Sequence, residues 1–339
     1  MSLLLSPVKI GNLELKNRIV MAPMCMFCAK KNSGLINDFH LVHYTSRAIG
    51  GVGLIIVEAT AITDEGKISD SDLGLYNDEQ EALHKKLVTN IHNFGAKVAI
   101  QIAHAGRKSE TTNQIHIAPS AIKFSDDFDM PKQMSLEDIE NIKMAFLNTA
   151  TRAKNAGYDA IELHAAHGYL LNQFLSPITN KRDDKYGGSL ENRCSLVIEI
   201  CKLLKEKVGL TLIVRISATE WMDNGWNLDD SKYLAKKLKG IIDILHVSAG
   251  GNNANQKIPA IVPMYQTDYA KQIKDEVNIP VICVGMINSP EVAEALLIGK
   301  SADLIGIGRE LLRDANFVNK AACIFKEQDK ITAQYKRAY

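Results

Sequence analysis

Long apolar runs are missing from this 339-residue chain. None has the ~20 consecutive apolar residues that a helix needs to cross a bilayer. Charge of one sign is missing too. Lys and Arg total 40 against 39 for Asp and Glu, a net charge of +1. Nothing therefore draws the whole chain toward nucleic acid or an anionic membrane surface. Cysteine is scarce, with six residues, too few for a disulfide scaffold of this size. Cys25 and Cys28 have C-x-x-C spacing, but no second such pair exists to complete a four-thiolate zinc site, and no metal is expected. A redox dithiol normally has Pro or Gly between its cysteines, and here the spacer is Met26-Phe27. The start, Met1 to Asn12, lacks a basic-then-apolar signal layout, so a cytoplasmic location is expected. There is no fixed-period repeat and no Pro- or Gly-rich linker. Residues 1–339 therefore read as one domain.

Disorder is excluded, because 46% of residues are hydrophobic and 23% charged. A loose unit recurs: a β-branched apolar run, a polar loop, then an amphipathic helical stretch. The runs are 18–24, 53–62, 97–104, 160–167, 212–220, 241–250, 279–287 and 302–310. A helix is expected from Ser135 to Asn155. Ser135 caps it, Glu137 and Asp138 sit in its first turn, and Gly157 follows its end. Eight strands alternating with helices predict a (β/α)8 TIM barrel. An open doubly wound sheet is the alternative, but no G-x-G-x-x-G follows the first run. Residues 2–17 read as a β-hairpin turning at Gly11-Asn12, placed as a plug under the barrel. Residues 106–134 read as a lid insert after strand three, and 330–339 as a C-terminal tail.

Active sites of such barrels lie at the C-terminal ends of the strands, and here those ends are unusually polar. Gly285, Gly308 and Arg309 fall after strands seven and eight, the usual phosphate position of this fold, where tight turning would also want glycine. His164 and His167 could hold a metal, or donate to an oxygen gaining negative charge, with Tyr169 as a proton donor nearby. Arg215 inside an apolar strand needs a partner, either Glu58, Glu162 or an anionic ligand ring. Gln101 could satisfy the imide edge of a heterocycle or a neighbour in the barrel layer. Cys25 reads as a small buried hydrophobe.

Several segments resemble the old yellow enzyme family of FMN-dependent ene-reductases, over nearly the whole chain. They are Asn17–Met24, Asp38–Tyr44, Gln101–Arg107, Glu162–Leu170, Arg182-Asp183 with Tyr186–Ser189, Asn192-Arg193, and Gly306–Arg309. The cysteine after Pro23-Met24 and the compact length resemble the shorter bacterial branch, the NADPH dehydrogenases. The resemblance implies tightly bound FMN and NADPH, or NADH, as reductant. Ala22, Pro23, Met24, Cys25, Ala59, Gln101 and Arg215 would contact the flavin ring, with Cys25 tuning its potential. Gly285, Gly308 and Arg309 would hold its phosphate. His164 and His167 would grip the substrate carbonyl or nitro oxygen, and Tyr169 would protonate the α-carbon of an activated alkene. Phe27 stands where many members of the branch have a tyrosine, so a hydroxyl that would reach substrate is lost. Arg337 would enter a neighbouring subunit's site, which implies a homodimer or homotetramer. Rival readings are another FMN barrel oxidase, a flavin-free lyase or aldolase for a phosphorylated sugar, and a flavin-binding protein without turnover. The aldolase would need a strand-end lysine, which the eight runs do not convincingly offer.

Overall fold

The computed structural model describes residues 1–112 and 114–339; Asn113, within the expected lid insert, lies outside them. The eight expected runs all contain strands: β1 (Ile19–Met21), β2 (Leu54–Ala61), β3 (Lys97–Ala103), β4 (Ala160–Ala165), β5 (Thr211–Ser217), β6 (Ile244–Ser248), β7 (Val281–Cys283) and β8 (Leu304–Ile307). Each pairs in parallel with its neighbour in sequence. β8 returns to β1 through Ile305 opposite Ile19, so the sheet closes. Helices follow the strands in turn, and the architecture is a (β/α)8 barrel. A two-residue strand, Leu73–Gly74, extends the sheet beside β2.

The helix expected from Ser135 runs over Leu136–Ala156 (α3, after α1 at Asp38–Ile49 and α2 at Asp78–Asn93). Ser135 accepts from the Asp138 amide and Asp138 reaches back to the cap, a reciprocal pair that satisfies two end donors. Gly157 ends it at φ +93°, in the left-handed region that favours glycine. Ile139, Ile142, Phe146, Ala150 and Ala153 form its buried face, the stripe that their spacing gives.

The interior is layered by strand alternation. Val20, Leu54, Ala99, Ala160, Ile213, Ile244, Ile282 and Leu304 point inward as an apolar floor. The hairpin Val8–Ile10 with Leu13–Leu15 packs Ile10, Leu13 and Leu15 against that floor, so it plugs the barrel's N-terminal end. Two residues further along their strands, the inward positions turn polar: Gln101, Glu162, Arg215 and His246. Two more give His164, Ser217 and Ser248.

Several strands end earlier than the apolar runs do. β4 stops at Ala165, because the backbone of His167 (φ +59°) and Gly168 (φ +78°) turns left-handed. β7 stops at Cys283, with Gly285 at φ +135° and Met286 at φ +56° just beyond. The register of β2 against β3 slips between Val57 and Thr60, a bulge at Glu58-Ala59. Such irregularity re-aims side chains at a barrel rim.

Candidate active site

The strand ends converge on a cleft of ≈ 310 Å³. Ala22, Pro23, Met24, His167, Arg215, Gly285, Gly308 and Arg309 all line it. Tyr265, Gln266, Met286 and Arg313 line it too, although nothing in their sequence neighbourhood marks them out. Cys25, Ala59 and Tyr169 meet in one cluster with Ile68, Ala103 and Ala105. Gln101 lies in the polar layer. Phe27 is half exposed, with a left-handed backbone at φ +52°, outside the lining of the cleft. Arg337 is exposed on a short 3-10 helix, Ala333–Ala338. Gln334 and Tyr335 of that segment sit beside Asn17, Gly51 and Phe94, at the N-terminal ends of β1, β2 and β3.

His164, His167 and Tyr169 pack edge to face. The ring centroids of His164 lie 5.2 Å from His167 and 5.0 Å from Tyr169. The Ala166 amide donates to Nδ1 of His164 at 3.3 Å, so the proton of the neutral ring sits on Nε2. His167 Nε2 lies 2.8 Å from Ser248 Oγ, and its backbone amide donates to Ser217 Oγ at 2.9 Å. Burial pushes both imidazoles well below the usual histidine pKa, and the Arg215 charge adds to it. Each ring is therefore neutral and offers one N–H. Burial pushes the Cys25 thiol up, so it stays protonated and is no nucleophile at neutral pH.

Arg215 is 8% exposed, and its Nε has no hydrogen-bond partner among the described residues. No carboxylate lies within ion-pair distance of it among them. Glu58, one expected partner, instead accepts from the Met26 amide and the Tyr44 hydroxyl, at 2.9 and 2.7 Å. Glu162, the other, accepts from Gln101 Nε2 at 2.8 Å and faces His246 Nδ1. It acts on Arg215 only as a nearby charge that opposes the fall in pKa caused by burial. Sequence gave no sign of the His246 contact, because a histidine in the middle of an apolar strand names no partner.

A family model described as the NADH:flavin oxidoreductase / NADH oxidase family matches residues 3–328. The chain belongs to this family. The NADPH dehydrogenase of Listeria monocytogenes serovar 1/2a is 46% identical over 340 residues, covering 100% of both chains. The solved structure of morphinone reductase is 28% identical with a TM-score of 0.82, over 95% of this chain and 90% of that one. The old yellow enzyme homologue from Zymomonas mobilis is 25% identical with a TM-score of 0.81, over 95% and 92%.

The cofactor of the NADH:flavin oxidoreductase family is FMN, and the residues of the cleft fit it. Arg215 is a buried cation whose Nε still lacks an acceptor, which an anionic or carbonyl edge would supply. Gln101 has its nitrogen taken by Glu162, which leaves its carbonyl oxygen to accept from an imide. At Gly285 a Cβ would stand 3.0 Å from the Gln266 amide, so only glycine keeps that approach open beside Arg309.

Proposed function

We propose that this protein is a cytoplasmic, FMN-dependent NADPH dehydrogenase, with NADPH or NADH as reductant, that reduces an activated alkene: an enone, a quinone or a nitro compound. The observation that carries this reading is the neutral His164–His167 pair standing against Tyr169 beside a buried Arg215 whose Nε has no hydrogen-bond partner among the described residues. FMN, when bound, would supply hydride chemistry, accepting from the nicotinamide and passing on to the acceptor's β-carbon. Ala22 to Cys25, Ala59, Gln101 and Arg215 would hold its ring, with Gly285, Gly308 and Arg309 at its phosphate. His164 Nε2–H and an N–H of His167 would donate to the acceptor's carbonyl or nitro oxygen as negative charge builds there. One such preorganised donor is worth about 3 kcal/mol of barrier. Tyr169 would deliver the proton to the α-carbon. Cys25, as a neutral thiol, would tune the ring's potential.

His164, His167 and Tyr169 set this reading above a plain flavin oxidase, which has no use for two oxygen-binding imidazoles and an acid. Lys108, whose charge acts on His164 and His167, has its ammonium on backbone carbonyls, so an aldolase reading gains nothing. An anaerobic visible spectrum tests the proposal. A flavin band that bleaches with NADPH and returns with cyclohexenone is the expected result. A colourless protein that FMN cannot reconstitute would overturn it, and a band that stays bleached with the enone would overturn its alkene part.

Arg337 would serve a second copy's cleft, because the tail runs beside the far end of its own barrel. A homodimer or homotetramer follows, and Phe27 at the exposed rim would meet substrate there. Sedimentation of wild type and of a chain truncated before Arg337, with KM for the enone, tests this. A monomeric wild type would overturn it.

A further inference from the structure

We infer that Lys108 is a positioning residue for the Tyr169 acid: its ammonium ties down the turn that presents His167 and Tyr169, and it offsets the charge on the phenol oxygen once the proton has left. The inference rests on the proposed alkene reduction. Lys108 closes the single turn Gly106–Lys108, at the start of the insert after β3. Its Nζ donates to the carbonyl oxygens of His167 and Gly251, each at 2.9 Å. Those carbonyls belong to two turns, one after β4 and one after β6, that cross with almost no space between them. A Cβ on Gly168 would lie 2.3 Å from Gly251 O, and one on Gly251 would lie 2.6 Å from His167 Cα. One ammonium thus clamps both turns from the side.

The same nitrogen lies 5.1 Å from the centroid of the Tyr169 ring and 4.6 Å from that of Phe124. Both distances allow attraction to the ring face. Burial raises the Tyr169 pKa, Cys25, Asp72 and Glu110 push it the same way, and Arg215 opposes them. A buried phenol is a poor acid unless cations stand near it, because the phenolate it leaves has lost its water, and the Lys108 ammonium would add to the Arg215 charge. In the reaction, hydride at the β-carbon carries the two electrons that NADPH supplied. The Tyr169 O–H bond breaks as the α-carbon–hydrogen bond forms, and the phenolate then takes a proton from solvent.

The groups facing Lys108 are Arg107 and Glu110 beside it, and His164, His167 and Tyr169 from the β4 side. Burial, with Arg107, brings its pKa down to about 8, against the opposing pull of Glu110. The clamp is thus charged at neutral pH and loses its charge in mild alkali, whereas an arginine there would not.

The test uses holoenzyme reduced with one equivalent of NADPH without oxygen, then mixed with cyclohexenone or with ferricyanide, which needs no carbon protonation. Tyr169→Phe marks the loss of the acid. Lys108→Met should slow the enone reaction about tenfold more than the ferricyanide reaction. The wild-type enone rate should fall above pH of about 8, and Lys108→Arg should abolish that fall. A merely structural clamp would leave no such difference in pH profile. The inference is overturned if Lys108→Met tracks wild type on the enone while Tyr169→Phe does not, or if the alkaline fall survives in Lys108→Arg. Wild type that never reacts with the enone would instead sink the alkene reading itself.

Discussion

The carboxamide nitrogen of Gln101 donates to Glu162 Oε1 at 2.8 Å, between positions directly opposed across β3 and β4. A carboxylate only accepts, so this contact decides which way the amide points. Glu162 is fully buried, and its second oxygen faces His246. Replacing Glu162 with glutamine would let the Gln101 amide turn over and present the wrong group to the cleft. Hydrogen bonds to a charged group contribute about 1.5–3 kcal/mol. FMN affinity in Glu162→Gln should therefore fall by roughly ten- to a hundredfold. Quenching of flavin fluorescence on titration into apoprotein measures this directly. An unchanged affinity would show that Glu162 does not orient Gln101.

Arg215 gives a prediction of opposite sign for the empty and filled protein. A buried cation without an ion-pair partner costs stability until a ligand meets it. Arg215→Met should raise the melting temperature of apoprotein and yet weaken FMN binding. It should also lower the midpoint potential of bound flavin by about 30–60 mV, the size of a 1.4–2.8 kcal/mol loss on a two-electron couple. Dye-equilibration potentiometry reads the last of these. An unchanged potential would remove Arg215 from the ring.

The barrel was legible because each strand covered on both sides is a nearly unbroken apolar run, and eight such runs alternate with amphipathic helices. The capping of α3 was legible for a local reason, since Ser135, Asp138 and Gly157 each act within one turn of the helix. The strand ends were not legible. His167 and Met286 adopt left-handed backbone that a histidine or methionine does not announce, so β4 and β7 stop short of their apolar runs. The site candidates were read chiefly from whole motifs, such as His164 to Tyr169. Lys108 was missed because a lysine in a polar insert reads as solvated. Only the fold brings it to the carbonyls of His167 and Gly251. Long-range contact is what a local pattern cannot encode.

The crossing of two turns at His167 and Gly251 is a sensitive point of the site. Gly251 has φ +94°, and a Cβ there would lie within 2.6–2.8 Å of three backbone atoms of His167. Backbone atoms cannot step aside as a flexible side chain can. Gly251→Ala should cost about 1–3 kcal/mol from the backbone conformation alone. It should also displace His167 from Ser248, so enone binding should weaken along with stability. Thermal melts and enone KM check the two effects together. A variant that melts like wild type with unchanged KM would mean that the two turns separate freely.

Glu58 gives the pH prediction. It is 1% exposed, and burial raises its pKa to about 7, against the hydrogen bonds from Met26 and Tyr44 that lower it. Unfolded, the same carboxyl titrates near 4.5. Below the unfolded value both states hold the proton, and the native state keeps all of this contribution. Between about 4.5 and 7 the native state still binds a proton that the unfolded chain has released. Stability from this group therefore falls as pH rises through that window and is lost above the folded value. The slope is at most ~1.4 kcal/mol per pH unit for one proton. Asp72, raised by burial to about 6, adds a second carboxyl with the same sign. Glu58→Gln should therefore flatten the fall in melting temperature between pH 5 and 7 without removing it, and leave Asp72 as the remainder. Because Glu58 accepts from the amide that follows Cys25, the same variant should loosen the Cys25 loop and broaden the flavin absorption band. Melting curves at half-unit pH steps decide the matter, and an identical slope in wild type and variant would show that Glu58 is ionised throughout.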